Sequence, residues 1–143
     1  MNENEIANAE TYLKKHGFVC AARGGGFEAT CQIMQMWQES HQPLNAQIEM
    51  YHISHQSLFL CLSNVESKKR LYISCSGCAR IETFHAHKNA RLHLVKHTPL
   101  TTQKYPPLLK LYDRKAKFAV LCDKVCLSLD EPELPSLWEK EKL

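Results

Sequence analysis

The chain has 143 residues, of which 44% are apolar and 23% charged, with a formal net charge of +3. These values exclude a disordered tail and predict one soluble domain over residues 1–143, large enough for a single core. No apolar stretch approaches the roughly 20 residues of a membrane-spanning helix; the densest is Leu58–Leu62.

The first predicted element is a helix. Asn2 followed by Glu5 resembles a capping box, with Asn in place of Ser or Thr. Ile6, Ala9, Leu13 and His16 share one face at the 3.6 period, with Tyr12 beside them. Lys14, Lys15 and His16 occupy the carbonyl end, which favours positive charge, and Gly17 supplies a left-handed stop. Charged residues at Glu3, Glu5, Glu10, Lys14 and Lys15 stand where the apolar core of a signal peptide would fall, so a cytoplasmic address is expected. The seven cysteines are an odd number, scattered through apolar segments, and are expected to be small buried thiols rather than a disulfide framework.

After Gly17 the period changes. Phe18 to Ala22 is a short apolar run, Gly24, Gly25 and Gly26 break it, and Phe27 to Trp37 resumes. Ala29, Cys31, Ile33, Gln35 and Trp37 alternate there, which predicts a hairpin around a glycine turn. The glycines lack the pattern of a phosphate-binding loop, and a strand is expected to follow them. Glu39 to Asn45 is a predicted loop. Strands are then predicted around Ile48–Ile53, Leu58–Leu62 and Leu71–Cys75, with a turn at Ser54-His55-Gln56 and a polar loop at Asn64–Lys69. Ala79 to Phe84 is expected to return antiparallel to Leu71–Cys75, and Ala90–Val95 forms another strand. Thr98 to Pro107 is irregular. Phe118–Cys122 and Val125–Leu129 predict a last hairpin turning near Asp123 and Lys124, and Leu137-Trp138 closes the core through a short helix. The sum is an α+β domain: one N-terminal helix, then a mainly antiparallel meandering sheet of about seven to nine short strands.

Charge is placed unevenly along this chain. From Lys68 to Lys117 twelve Lys or Arg stand against Glu82 and Asp113, giving +10 there, −4 before and −3 after. Such a block predicts either a solvated face or an anion-binding one. Tyr72, Phe84, Tyr105 and Tyr112 are interleaved in it and are of the type that stacks on bases.

Cys75 and Cys78 form a C-x2-C pair on a predicted turn, which supplies two ligands of a zinc site. The other two would come from Cys122 and Cys126, or from His85, His87, His93 and His97, but neither spacing completes the signature. The same pair in a thiol redox site would need a helix starting at Cys75, and the β-branched Ile81 and Thr83 oppose one. His85 and His87 project to one side of a strand, yet Lys88, Asn89, Ala90 and Arg91 follow with no carboxylate to orient them. No nucleophile elbow, metalloprotease helix or paired catalytic carboxylates occur.

The expectation is a non-enzymatic binding module, with no cofactor. Its first-choice surface is Arg80, Lys88, Arg91 and Lys96, with His85, His87, His93 and His97 adding pH-sensitive charge. An acidic protein or a nucleic acid suits that surface, no membrane is implied, and a homodimer is expected from outward apolar residues. The competing readings are a zinc protein using Cys75 and Cys78 with His85 and His87, and a small thiol-dependent enzyme.

Overall fold

Helix α1 (Ala9–His16) opens the fold, and the computed structural model describes residues 8–22, 25–52, 56–83, 86–97 and 109–130. Its cap is Asn8, whose side chain accepts the Thr11 N–H at 3.1 Å; the anticipated cap at Asn2 and Glu5 lies outside the described residues. Gly17 ends the helix at φ 84°, donating its N–H to the Leu13 carbonyl at 2.8 Å.

Helix α2 (Phe27–Ser40) replaces the second arm of the expected hairpin. Thr30, Ile33, Met34, Trp37 and Gln38 are its buried residues, and they fall at i, i+3, i+4, i+7 and i+8. The alternation read for this stretch hid that stripe because two of its five positions, Thr30 and Gln38, are polar. Gly26 precedes the helix at φ 84°, and a Cβ there would collide with the Cys20 carbonyl.

Ten strands are described. In chain order they are β1 (Phe18–Ala21), β2 (Leu44–His52), β3 (Ser57–Asn64), β4 (Arg70–Ser76), β5 (Arg80–Glu82), β6 (Ala86–His87), β7 (Leu92–Lys96), β8 (Leu109–Asp113), β9 (Phe118–Cys122) and β10 (Lys124–Ser128). They form two antiparallel sheets, a large one ordered β1-β10-β4-β3-β2-β6 and a small one ordered β5-β9-β8-β7. The α+β class with a leading helix is therefore observed, with one more helix and one more strand than the range expected.

Side-chain alternation builds the core. Val19, Leu127, Ile73 and Leu60 lie in register across β1, β10, β4 and β3. They bury one face of the large sheet, while Leu92, Leu94, Leu109, Leu111, Phe118 and Val120 bury one face of the small sheet, in a single cluster with α2.

Neither expected hairpin in the second half forms as read. β5 does not return along β4 but pairs with β9, and β9 and β10 lie in different sheets. The pair β4–β10 continues directly into the pair β5–β9, so one two-stranded ribbon bends and belongs to both sheets. Strands that switch sheets make such corners. The bend is stitched by Asp123 N–H to the Ser76 carbonyl at 3.0 Å and Ala79 N–H to the Leu121 carbonyl at 2.8 Å. Gly77 sits in it at φ 64°, against the Asp123 side chain, where a Cβ would not fit without movement.

Cys20 and Cys126 face one another across β1 and β10 with Cα atoms 4.1 Å apart and are joined by a disulfide. This differs from the expectation that all seven cysteines are thiols: the two strands that pair lie 106 residues apart in sequence, a contact that spacing does not reveal. Cys31, Cys61, Cys75, Cys78 and Cys122 take no part in a disulfide among the described residues.

The outer edge of β7 is closed by α2 rather than by another strand. Gln38 accepts the Leu92 N–H at 2.7 Å and donates Nε2–H to the Leu92 carbonyl at 2.9 Å, so its amide stands in for a strand residue. Gln35 adds a second donor to the same carbonyl at 3.2 Å, and the Cys31 thiol donates to the Leu94 carbonyl at 3.4 Å. An open edge invites pairing with another chain, and this one is occupied.

Candidate functional site

The side of the small sheet turned away from the core gathers charged and aromatic side chains. On β8, Leu109, Leu111 and Asp113 point inward, which turns Lys110 and Tyr112 outward. Register then places His93 of β7 opposite Tyr112, and Leu121 of β9 opposite Lys110 on one side and Arg80 of β5 on the other. The His93 and Tyr112 rings lie 5.4 Å apart, and Lys110 Nζ stands 5.3 Å from the Tyr112 centroid. Glu82, Ala119 and Val95 complete this face.

A hollow of about 290 Å³ opens at one end, lined by Arg80, Glu82, His97, Lys110, Ala119 and Leu121. At the other end is a cleft of about 420 Å³ bounded by Arg91, His93, Arg114 and Lys115. The two lie at opposite ends of β8, with Tyr112 and His93 between them.

Asp113 anchors the second cleft. It is only 7% exposed. Its Oδ2 accepts the Arg91 N–H at 3.0 Å and His87 Nε2–H at 3.1 Å, and its Oδ1 accepts the Lys115 N–H at 2.9 Å. Burial pushes this carboxyl up, but the Arg91, Lys115 and His87 donors outweigh it and hold the group below its ordinary value. His93 is pulled down from its ordinary value by burial and by Arg114 and Arg91, against a smaller opposing effect of Asp113.

The anticipated surface is divided. Arg80 and Arg91 belong to the outward face and its cleft. Lys96 lies on the α2 side of the sheet, its Nζ 5.2 Å from the Phe27 ring. Lys88 is exposed in the β6–β7 turn. His87 faces Asp113 and the Phe118 ring, and His97 lines the smaller hollow. His85, Phe84 and Tyr105 lie outside the described residues. Lys110, Arg114 and Lys115 were not among the residues expected to form the surface; Arg114 and Lys115 fit solvated charges beside a turn, and they do lie in the β8–β9 turn. The signal for Lys110 was the alternation Leu109-Lys110-Leu111-Tyr112-Asp113, which marks β8.

Cys75, Cys78 and Cys122 meet at the ribbon corner, all buried. The Cys78 thiol donates to the Cys75 carbonyl at 3.5 Å. A hydrogen bond with Cys122, followed by burial, pushes the Cys75 thiol well above its ordinary range, and burial with the neighbouring Cys122 pushes Cys78 up to about 12. Cys126, weighed as a fourth ligand, is bonded to Cys20 instead. Among the described residues no group of three or more His, Cys, Asp or Glu is arranged to hold a metal ion. Thiols held protonated are poor nucleophiles. Alkylation of Cys75, Cys78 and Cys122 by iodoacetamide at pH 8 is expected to run at least about 100-fold slower in the native protein than in urea. Mass spectrometry of the labelled peptides checks this, and rapid native labelling of any of the three would assign it a reactive role.

No protein-family model, no curated protein and no solved structure matches this chain.

Proposed function

We propose that this protein is a non-enzymatic binding module that lays single-stranded nucleic acid across the outward face of its small sheet. The observation that carries the reading is the register, which sets Arg80 and Lys110 on one rung of the outward face and Tyr112 and His93 on the next, with Arg91 and Arg114 in the cleft beyond. Single-strand binders combine a positive track for phosphates with exposed rings for base stacking, and this face has both. Same-face residues along β8 are about 7 Å apart, so cations and rings alternate at short intervals. Glu82 is the only described carboxylate on the face; Asp113 is turned inward and engaged by three donors.

The reading is not routed through Cys75, Cys78 or a metal, because those thiols face the core. It adds no second copy either: Phe18, Tyr51, Val65 and Val95, the exposed large apolar residues described, belong to four separate segments. No described helix is long and apolar enough to cross a membrane. A cytoplasmic address is kept as part of the proposal; in a reducing compartment the Cys20–Cys126 bond opens and the β1–β10 ladder alone holds those strands.

Fluorescence anisotropy with a labelled oligothymidylate tests the proposal. Arg91→Glu with Arg114→Glu is expected to weaken binding by at least about 100-fold, and Tyr112→Ala by about tenfold. Lys96→Glu, on the helix side, is expected to change it less than about threefold. With Arg80, Lys110, Arg91 and Arg114 on phosphates, log K against log salt should slope near −3. Unchanged affinity in the double variant overturns the proposal. Capture of polyglutamate as tight as that of the oligonucleotide reassigns the face to an acidic protein.

A further inference from the structure

Building on the nucleic-acid reading, we propose that the cleft at the Arg91 end is a subsite for a phosphate monoester, the terminal phosphate of the bound strand. Three segments converge there: Gln42 from the α2–β2 connection, Asn89 and Arg91 from the approach to β7, and Asp113, Arg114 and Lys115 from the β8–β9 turn. None of these segments is a neighbour of the others in sequence, so the fold itself assembles the cleft.

Charge distinguishes an end from the middle of a strand. Arg91, Arg114 and Lys115 contribute three positive charges and Asp113 one negative, leaving about +2. An internal phosphodiester carries one negative charge, whereas a monoester carries about −1.5 to −2 at neutral pH. The cleft therefore matches the monoester. Asp113 does not compete with such a guest as a free acceptor surface, because its oxygens already take the Arg91 N–H, the Lys115 N–H and His87. Those bonds instead fix the backbone from which Arg91 and Lys115 project. Guanidinium groups match phosphate oxygens in a two-pronged geometry, and Arg91, just before β7, and Arg114, just after β8, both line the cleft.

A second observation points to a guest. Gln42 Nε2 is buried without a hydrogen-bond partner. A buried donor left unmatched is costly, and a turn of the Gln42 amide into the cleft it lines would match it to an acceptor oxygen of a guest. Burial and the arginine neighbours pull the His93 imidazole below its ordinary value, and a dianion in the cleft beside it opposes that shift.

The test compares one internally labelled oligothymidylate in three forms: with a 5′-phosphate, with a 3′-phosphate, and with hydroxyls at both ends. One phosphorylated form is expected to bind about tenfold tighter than the hydroxyl form, and the gain is expected to vanish in Arg114→Gln and in Gln42→Leu. Lys96→Gln retains the gain. In parallel, the Gln42 side-chain amide resonance is followed by NMR during titration with thymidine monophosphate, and a shift is expected. Equal affinity of all three oligonucleotides overturns the subsite while leaving the track intact. A Gln42 shift with thymidine monophosphate, but no binding of any oligonucleotide, upholds the subsite and overturns the nucleic-acid reading. Neither signal overturns both.

Discussion

Gln38→Leu is expected to lower the unfolding free energy by about 3 kcal/mol, although leucine is the better core residue by polarity. Gln38 is 1% exposed and closes the edge of β7 by accepting from and donating to the same residue, Leu92. Leucine leaves the Leu92 N–H unpaired in the core and its carbonyl with only the longer bond to Gln35. A buried unmatched backbone group costs about 1–3 kcal/mol, and no water reaches this one to compensate. Gln35→Ala, which removes only the half-buried 3.2 Å bond, is expected to cost about 1 kcal/mol or less. Urea titration of the three proteins measures this. A Gln38→Leu variant as stable as the parent would mean that the amide is not the edge closure described above. Because an uncapped strand edge is a template for pairing until α2 has docked on it, the same variant is expected to aggregate during refolding where the parent does not.

Asp113→Asn is expected to be the second costly change, at about 2–3 kcal/mol at pH 7. The carboxylate accepts from two backbone N–H groups and from His87, and the asparagine amide must turn a donor toward at least one of them. The cost depends on pH in a definite sense. The native carboxyl titrates below its ordinary value of 3.8, its donors outweighing burial. Its ionised form therefore stabilises the fold fully above that value, and the contribution is lost as pH falls through the lower native value. Parent and variant should differ most at neutral pH and converge once the pH has fallen through the lowered native value. Urea unfolding at pH 7, 4 and 3 checks this, and a gap that stays constant would remove Asp113 ionisation from the account. The Arg91 and Lys115 backbones are set by the same bonds, so the variant is also expected to lose the preference for a terminal phosphate.

Much of the α+β architecture was legible because burial on one side of a strand leaves a period-2 trace. Leu58, Leu60 and Leu62, then Leu71 and Ile73, read as strands and are strands. Helix α1 was legible from its basic last turn and Gly17. What failed did so for identifiable reasons. Thr30 and Gln38 are polar residues with core positions, so the apolar stripe of α2 was incomplete in sequence; one of them is there to serve β7. The hairpins expected of Leu71–Cys75 with Ala79–Phe84, and of Phe118–Cys122 with Val125–Leu129, failed because alternation fixes which side a residue faces but not which strand it meets. The switch between sheets is decided by Gly77 and Asp123 packing on each other, two residues that lie 46 positions apart in sequence. For the proposed binding face, the basic block was visible, yet Arg80, Lys88, Arg91 and Lys96 were grouped by proximity in sequence. Strand direction sends Lys96 to the helix side, and a strand pairing brings Lys110 into the place it was given.

The adjacency of β1 and β10 has a consequence for how the chain matures. The strand that leaves α1 finds its partner only after residue 128 has been made, since Phe18 pairs with Ser128 and Val19 with Leu127. Throughout synthesis β1 waits as an unclaimed strip of backbone, and the large sheet is sealed last, by the final strand described. A nascent chain that ends before β10 leaves that strip without its natural neighbour, so the large sheet is completed late even though β2, β3 and β4 can pair earlier.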